Sequence, residues 1–146
     1  AFTNLGAFIA IIAISNKVGS DKIADYSGVY KRSPYLALGL AACLISLTGI
    51  PPTAGFIAKV YVFNAAVSAD LIWLAVVGVL NSVISAYYYL RVVMNMFTGE
   101  PEDEATFQPS VYLGTAMVIS VVGLFAVGLY PNPLIQASEH AAKVFA

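Results

Sequence analysis

Polar residues interrupt this chain rarely and in clusters. Between the clusters the apolar stretches run near or above the roughly 20 residues that an α-helix needs to cross about 30 Å of hydrocarbon. Residues 2–15 are apolar and Ala-rich and break at Asn16, Lys17 and Gly19. That stretch is too short to span and reads, over 1–16, as the second half of a truncated helix. A polar connection follows over 19–33, carrying Asp21, Lys22, Asp25, Lys31 and Arg32, and Ser33-Pro34 starts the next helix with Pro near its first position.

Residues 35–67 are apolar almost throughout, yet as one straight helix they would reach about 50 Å, well beyond the hydrocarbon thickness. Gly49-Ile50-Pro51-Pro52 lies at the middle, where two prolines remove two backbone donors and clash with the preceding turn. The region 35–68 is therefore predicted as a broken helix, with halves at 35–48 and 53–68 joined by an unwound segment. Ala69-Asp70 makes a tight turn, and the next span is predicted over 71–97. Within it Gly78, Ser82 and Ser85 fall at helical spacing, so a neighbouring helix can approach that face closely. An acidic loop with Glu100, Glu102, Asp103 and Glu104, bounded by prolines, leads to a last span at 111–130 and a short amphipathic tail. The predicted fold class is all-α, a polytopic transmembrane helix bundle with one discontinuous helix.

Composition agrees: 60% of residues are hydrophobic and 10% charged, with a mean hydropathy of +0.82, whereas soluble domains run near half apolar and a quarter charged. The net charge of −1, with no basic cluster interleaved with aromatics, excludes nucleic acid as a partner. Cys43 lies alone in an apolar run, so it makes neither an internal disulfide nor a thiolate metal site and reads as a small buried hydrophobe. The chain opens at Ala1 inside an apolar helical pattern and is expected to be a fragment of a longer protein. Lys17, Lys22, Lys31 and Arg32 gather in the first connection, the Ala69-Asp70 turn has no basic residue, and the tail has only Lys143. The first connection and the acidic loop are thus expected on the cytoplasmic side and the C-terminus outside.

Lys59 is the informative residue, because an ionisable side chain within an apolar span is costly unless it faces a cavity or a partner. It lies two turns beyond the Pro-Pro break, which leaves carbonyls of the first half-helix unpaired and directs a negative dipole end into the membrane. That end favours an ammonium, desolvation favours the neutral amine, and a lysine balanced between the two can load and release a proton. A lysine snorkelling to the outer interface is the alternative, since Asp70 is eleven residues, or about 16 Å, further along. A discontinuous helix beside a charge is expected of ion-transport sites, and a plain proline kink is the other reading.

Leu47-Thr48-Gly49-Ile50-Pro51-Pro52-Thr53-Ala54-Gly55-Phe56-Ile57-Ala58-Lys59-Val60-Tyr61-Val62-Phe63 resembles the discontinuous helix of the antiporter-like, proton-translocating subunits of respiratory complex I. Asn81-Ser82-Val83-Ile84-Ser85-Ala86-Tyr87-Tyr88-Tyr89-Leu90-Arg91-Val92-Val93 and Phe2-Thr3-Asn4-Leu5-Gly6-Ala7-Phe8 resemble the subunit N branch in particular. The resemblance implies that the chain holds the end of the eleventh and all of the last three of fourteen helices. It implies that Lys59 is the buried lysine of the proton path and that Gly49, Pro51, Pro52 and Gly55 form the hinge. The glutamate and lysines of earlier helices that complete the path lie outside these residues. It also implies that this chain does no redox chemistry and holds no cofactor. NADH, FMN, the iron–sulfur clusters and quinone belong to other subunits of the NADH-quinone oxidoreductase, and the partners are its other membrane subunits, lipid and protons. The membrane would be the bacterial inner membrane, or a thylakoid in a variant that takes electrons from ferredoxin. A subunit of a multi-subunit cation/proton antiporter shares the broken helix and its lysine, and a non-catalytic membrane scaffold is the rival of another class.

Tyr87, Tyr88 and Tyr89 point about 100° apart on a helix, so at most two face any one cavity. Interface anchoring and packing are set against a hydrated proton path for them. Arg91 reads as snorkelling to headgroups, or as pairing with a neighbouring subunit. His140, beside Glu139 in the tail, reads as an interfacial surface residue without companions for a metal site.

Overall fold

The computed structural model describes residues 1–101 and 105–145, without the side chains of 139 and 142–145. Glu102, Asp103 and Glu104 of the acidic loop, and the side chains of Glu139 and Lys143, lie outside the described residues.

Helix α1 is Phe2–Val18 and closes on Gly19, which takes the left-handed conformation at φ 76° and returns its N–H to the Ser15 carbonyl at 2.7 Å. The expected end at Asn16 is thus too early. Asn and Lys are tolerated in an exposed last turn, Lys17 complements the C-terminal dipole, and the backbone stops only where glycine permits a left-handed residue. The connection is more ordered than a polar loop. It contains a 3₁₀ turn, Ile23–Tyr26, and a single helical turn, α2, Val29–Arg32. Tyr26 and Val29 are buried there, and the Tyr26 hydroxyl donates to the Ile11 carbonyl at 3.3 Å. Burial first, and the Asp21 carboxylate second, push the Tyr26 phenol above its ordinary range.

Helix α3 is Pro34–Thr48 and α4 is Ala54–Ser68, with 15 residues each, so each reaches only about 22 Å. Asp70 takes a positive φ of 59° in the turn after α4. Helix α5, Ile72–Thr98, has 27 residues, and α6, Val111–Leu129, has 19; both are long and apolar enough to cross a membrane alone. Ser110 caps α6 by accepting from the Leu113 N–H at 3.4 Å, and α7, Asn132–Phe145, closes the described chain.

Helix α3 is the centre, packed on α1, α4, α5 and α6. Its Leu36, Ala37, Leu40, Cys43 and Leu44 meet Ala10 and Ile14 of α1, Met96 of α5 and Leu124 of α6 in one core. Glycines set the closest approaches. A Cβ on Gly6 would stand 2.7 Å from the Cys43 sulfur, and one on Gly39 2.7 Å from that of Met117. Small residues at such crossings are how helices gain dispersion contacts in a medium as apolar as their own side chains. Helix α4 buries none of its residues and α5 only Ala75 and Met96, so Trp73, Val83, Ile84 and Tyr87 point outward. These apolar outer faces suit lipid or further membrane helices.

The first connection meets the C-terminal end of α5, and residues 105–107 after it, at one end of the bundle. The Gly28 N–H donates to the Asn95 carbonyl at 3.2 Å and Asn95 Nδ2 to the Ile23 carbonyl at 2.6 Å. Arg32 Nε donates to the Ala105 carbonyl at 3.1 Å while its guanidinium lies 5.1 Å from the centre of the Phe107 ring. The stacked rings of Tyr30 and Phe97 are 4.7 Å apart.

Candidate functional site

The break begins at Gly49, two residues before the prolines. With φ 88° and ψ 42° it is left-handed, its N–H donates to the Ser46 carbonyl at 3.0 Å, and the Ile50 N–H donates to the Ile45 carbonyl at 3.3 Å. This is a Schellman ending, which satisfies carbonyls of the last turn by reversing the backbone. Pro51 and Pro52, joined by a cis peptide, then occupy positions where no helix could continue. The chain re-enters helix at α4 after Thr53, whose backbone is extended.

The start of α4 is not capped by its own N-cap residue. The Thr53 hydroxyl turns back to the Ile50 carbonyl at 2.7 Å. The Ser46 hydroxyl of α3 accepts the Gly55 N–H instead, at 3.1 Å, and also contacts Thr3 Oγ1 of α1 at 3.1 Å. Only glycine fits at 55, because a Cβ there would stand 1.8 Å from the Ser46 carbonyl oxygen. Gly128 of α6 supports the break from the other side, where a Cβ would stand 2.3 Å from the Pro52 carbonyl oxygen.

Lys59 answers the expectation of a carbonyl end near a lysine with a direct contact. Its Nζ donates to the Thr48 carbonyl at 2.7 Å, the length of a charge-assisted hydrogen bond. Each half-helix thus caps the other: Ser46 of α3 holds the N-terminus of α4, and Lys59 of α4 closes the C-terminus of α3. The lysine stem passes over Gly49, where a Cβ would stand 2.8 Å from Lys59 Cδ.

Beside this contact lies a cavity of about 300 Å³ between α3, α4 and α5. Phe56, Val60, Phe63 and Val83 make its apolar walls, and Thr48, Lys59 and Ser82 supply its polar side chains. The Thr48 hydroxyl donates to the Leu44 carbonyl at 2.9 Å and that of Ser82 to the Gly78 carbonyl at 2.9 Å, so both oxygens keep acceptor capacity. Phe63 sits over Gly78, whose Cβ would lie 2.7 Å from its ring, so the small face anticipated on α5 receives α4.

The structure brings together Gly49, Gly55 and Lys59, with Pro51 and Pro52 beside them. It leaves Tyr87, Tyr88 and Arg91 elsewhere: all three are exposed on α5, the two tyrosines at 70% and 50%, and none lines the cavity at Lys59. His140 is exposed on α7. Ser46, Thr48, Thr3 and Ser82 went unnoticed as site residues. Ser46 and Thr48 carried a signal, as the hydroxyls in an otherwise apolar run just before the break.

The family model described as NADH:quinone oxidoreductase/Mrp antiporter, transmembrane, matches residues 1–85. The chain belongs to that family. Among relatives in this antiporter-like family, NADH-quinone oxidoreductase subunit N of Moorella thermoacetica is 44% identical over 145 residues, covering 99% of this chain and 30% of the relative. NAD(P)H-quinone oxidoreductase subunit 2 of Picosynechococcus is 41% identical over 151 residues, covering 96% of this chain and 29% of its own length. A chain of respiratory complex I from Thermus thermophilus, solved with bound aureothin, superposes with a TM-score of 0.72 at 30% identity, over 90% of this chain and 32% of that one. The chain therefore spans about 30% of the length of the curated relatives it matches.

Proposed function

We propose that this chain is part of a membrane subunit of an NADH-quinone oxidoreductase and that Lys59 carries a proton on the path that couples quinone reduction to proton translocation. The observation that carries the reading is the Lys59 amine on the Thr48 carbonyl, at a helix break within a family of quinone oxidoreductase and antiporter subunits. Two opposed effects act on that amine. The carbonyl and the C-terminal dipole of α3 favour the ammonium, while the apolar walls of the cavity favour the neutral amine. A side chain poised between them changes its protonation when either effect changes, for example when the cavity fills with water or the half-helices move. Gly49, Pro51, Pro52 and Gly55 form the hinge that permits this contact at membrane depth. Tyr87, Tyr88 and Arg91, facing outward, serve the interface with lipid or neighbouring subunits.

Oxidation of NADH and reduction of quinone belong, in this reading, to other subunits with their FMN and iron–sulfur clusters, and the partners of this chain are the other membrane subunits. The membrane is the bacterial inner membrane, with the thylakoid as the counterpart for a cyanobacterial relative. The family description also includes Mrp antiporters, which makes cation/proton exchange the second reading; the names of the relatives favour the first. Lys59→Ala and Lys59→Arg in the assembled complex test the role. Both should strongly lower NADH-driven proton uptake in vesicles, since arginine keeps the charge but does not release its proton. Near-wild-type pumping by an assembled Lys59→Ala complex would remove Lys59 from the path and favour a lysine that only closes a helix in a scaffold.

A further inference from the structure

We propose that Ser46 and Thr3 are positioning residues for Lys59: the Ser46 hydroxyl, held between Thr3 of α1 and the Gly55 N–H of α4, sets how the second half-helix docks and so whether Lys59 reaches the Thr48 carbonyl. This rests on the reading of Lys59 as the proton carrier.

Ser46 is fully buried, at 0% exposure, and touches both sides of the break. Its carbonyl accepts the Gly49 N–H that ends α3, and its hydroxyl accepts the Gly55 N–H that starts α4. Gly55 and Lys59 are four residues apart on α4, so their two contacts with α3 lie on the same face, about 6 Å apart along the axis. A helical turn is stiff, and a displacement at Gly55 is carried to Lys59. The hydroxyl has one proton and two acceptor sites; with the Gly55 N–H in one of these, the remaining capacity faces Thr3. Thr3 therefore orients Ser46 and brings α1 into the same circuit, so a shift of α1 against α3 reaches Lys59 through two hydrogen bonds. Among the described residues no other titratable side chain lines the cavity at Lys59 from the helices packed on α4; α3 contributes Thr48 and α5 contributes Ser82. The contact with Thr48 is accordingly the main polar influence that docking can vary.

The experiment measures protons translocated per NADH oxidised by the intact complex in vesicles, with assembly followed on native gels, for Ser46→Ala, Thr3→Val, Thr3→Ser and, beside them, Lys59→Ala. Loss of one such hydrogen bond shifts the balance between docked and displaced half-helices by about five-fold. Ser46→Ala and Thr3→Val should oxidise NADH yet translocate fewer protons for each NADH, and Thr3→Ser, which keeps the hydroxyl, should restore the ratio. A purely structural role would lower assembly and turnover together at an unchanged ratio, which overturns the proposal. If Lys59→Ala loses pumping while Ser46→Ala and Thr3→Val keep the wild-type ratio, the positioning role is refuted and the role of Lys59 stands. A wild-type ratio in Lys59→Ala overturns both. Should Ser46→Ala fail to assemble, the Thr3 pair decides: a lower ratio for Val than for Ser supports the proposal, and equal ratios refute it.

Discussion

Lys59 Nζ donates to the Thr48 carbonyl across 2.7 Å, so a side chain of the second half-helix closes the C-terminus of the first. The bond is reached over Gly49, where two separate constraints meet. The φ of +88° disfavours any L side chain, and a Cβ would stand 2.8 Å from the lysine stem.

Gly49→Ala should therefore be worse than Gly19→Ala. Both force a left-handed alanine, at a cost of about 1–2 kcal/mol, but Gly19 has nothing within 4 Å of its would-be Cβ. Thermal denaturation of the assembled complex should drop further for Gly49→Ala, and proton pumping should fall only there. Equal losses at the two sites would mean that backbone strain, and not the seat of Lys59, is what Gly49 protects.

Gly55→Ala should prevent normal packing of the broken helix. Its Cβ would lie 1.8 Å from a backbone oxygen of Ser46, which no rotamer change relieves, so the cost should reach about 3 kcal/mol or more. Gly114→Ala makes the contrast, because its nearest neighbour is Pro109 Cγ at 3.7 Å and alanine favours helix over glycine by about 0.5–1 kcal/mol. Native gels and melting curves should show little assembled complex for the first variant and an unchanged or slightly more stable one for the second.

A cysteine placed at Lys22 should react with membrane-impermeant reagents only from the cytoplasm, and one at exposed Gln136 only from outside. The clasp of the first connection on the C-terminal end of α5 and on residues 105–107 puts all three at one end, so a cysteine at Glu100 should label with Lys22. Labelling of positions 22 and 100 from opposite sides would contradict the helix order.

Arg32→Ala should loosen that clasp by removing the bond to the Ala105 carbonyl and the stacking on Phe107, together about 1–2 kcal/mol. Hydrogen exchange in the segment around residues 105–107 should speed up several-fold, with proton pumping little changed. Unaltered exchange would mean that the backbone bond from the Phe107 N–H to the Arg32 carbonyl, at 3.1 Å, holds the clasp without the Arg32 side chain.

The chain's hydropathy alone determined that it is a membrane helix bundle, where the helices run to within a few residues, and that 35–68 must break. Those conclusions follow from lengths: an apolar block either matches about 30 Å of hydrocarbon or must be shortened, and glycine and proline mark where. The prominence of Lys59 was legible for a similar reason, since one charge in an apolar block is costly wherever it points. Local pattern did not decide what that charge touches. Whether Lys59 snorkels outward or turns back to Thr48 depends on how α4 docks on α3, and docking is set by Gly55 against Ser46 and Gly128 against Pro52, contacts between residues that periodicity treats as separate. The pairing of Thr3 with Ser46 lies 43 residues apart in sequence, beyond the reach of any helical spacing. For the same reason only the tertiary structure took Tyr87, Tyr88 and Arg91 away from the cavity: a helix determines the angles between its side chains, but the neighbours it packs against decide which of those angles faces inward.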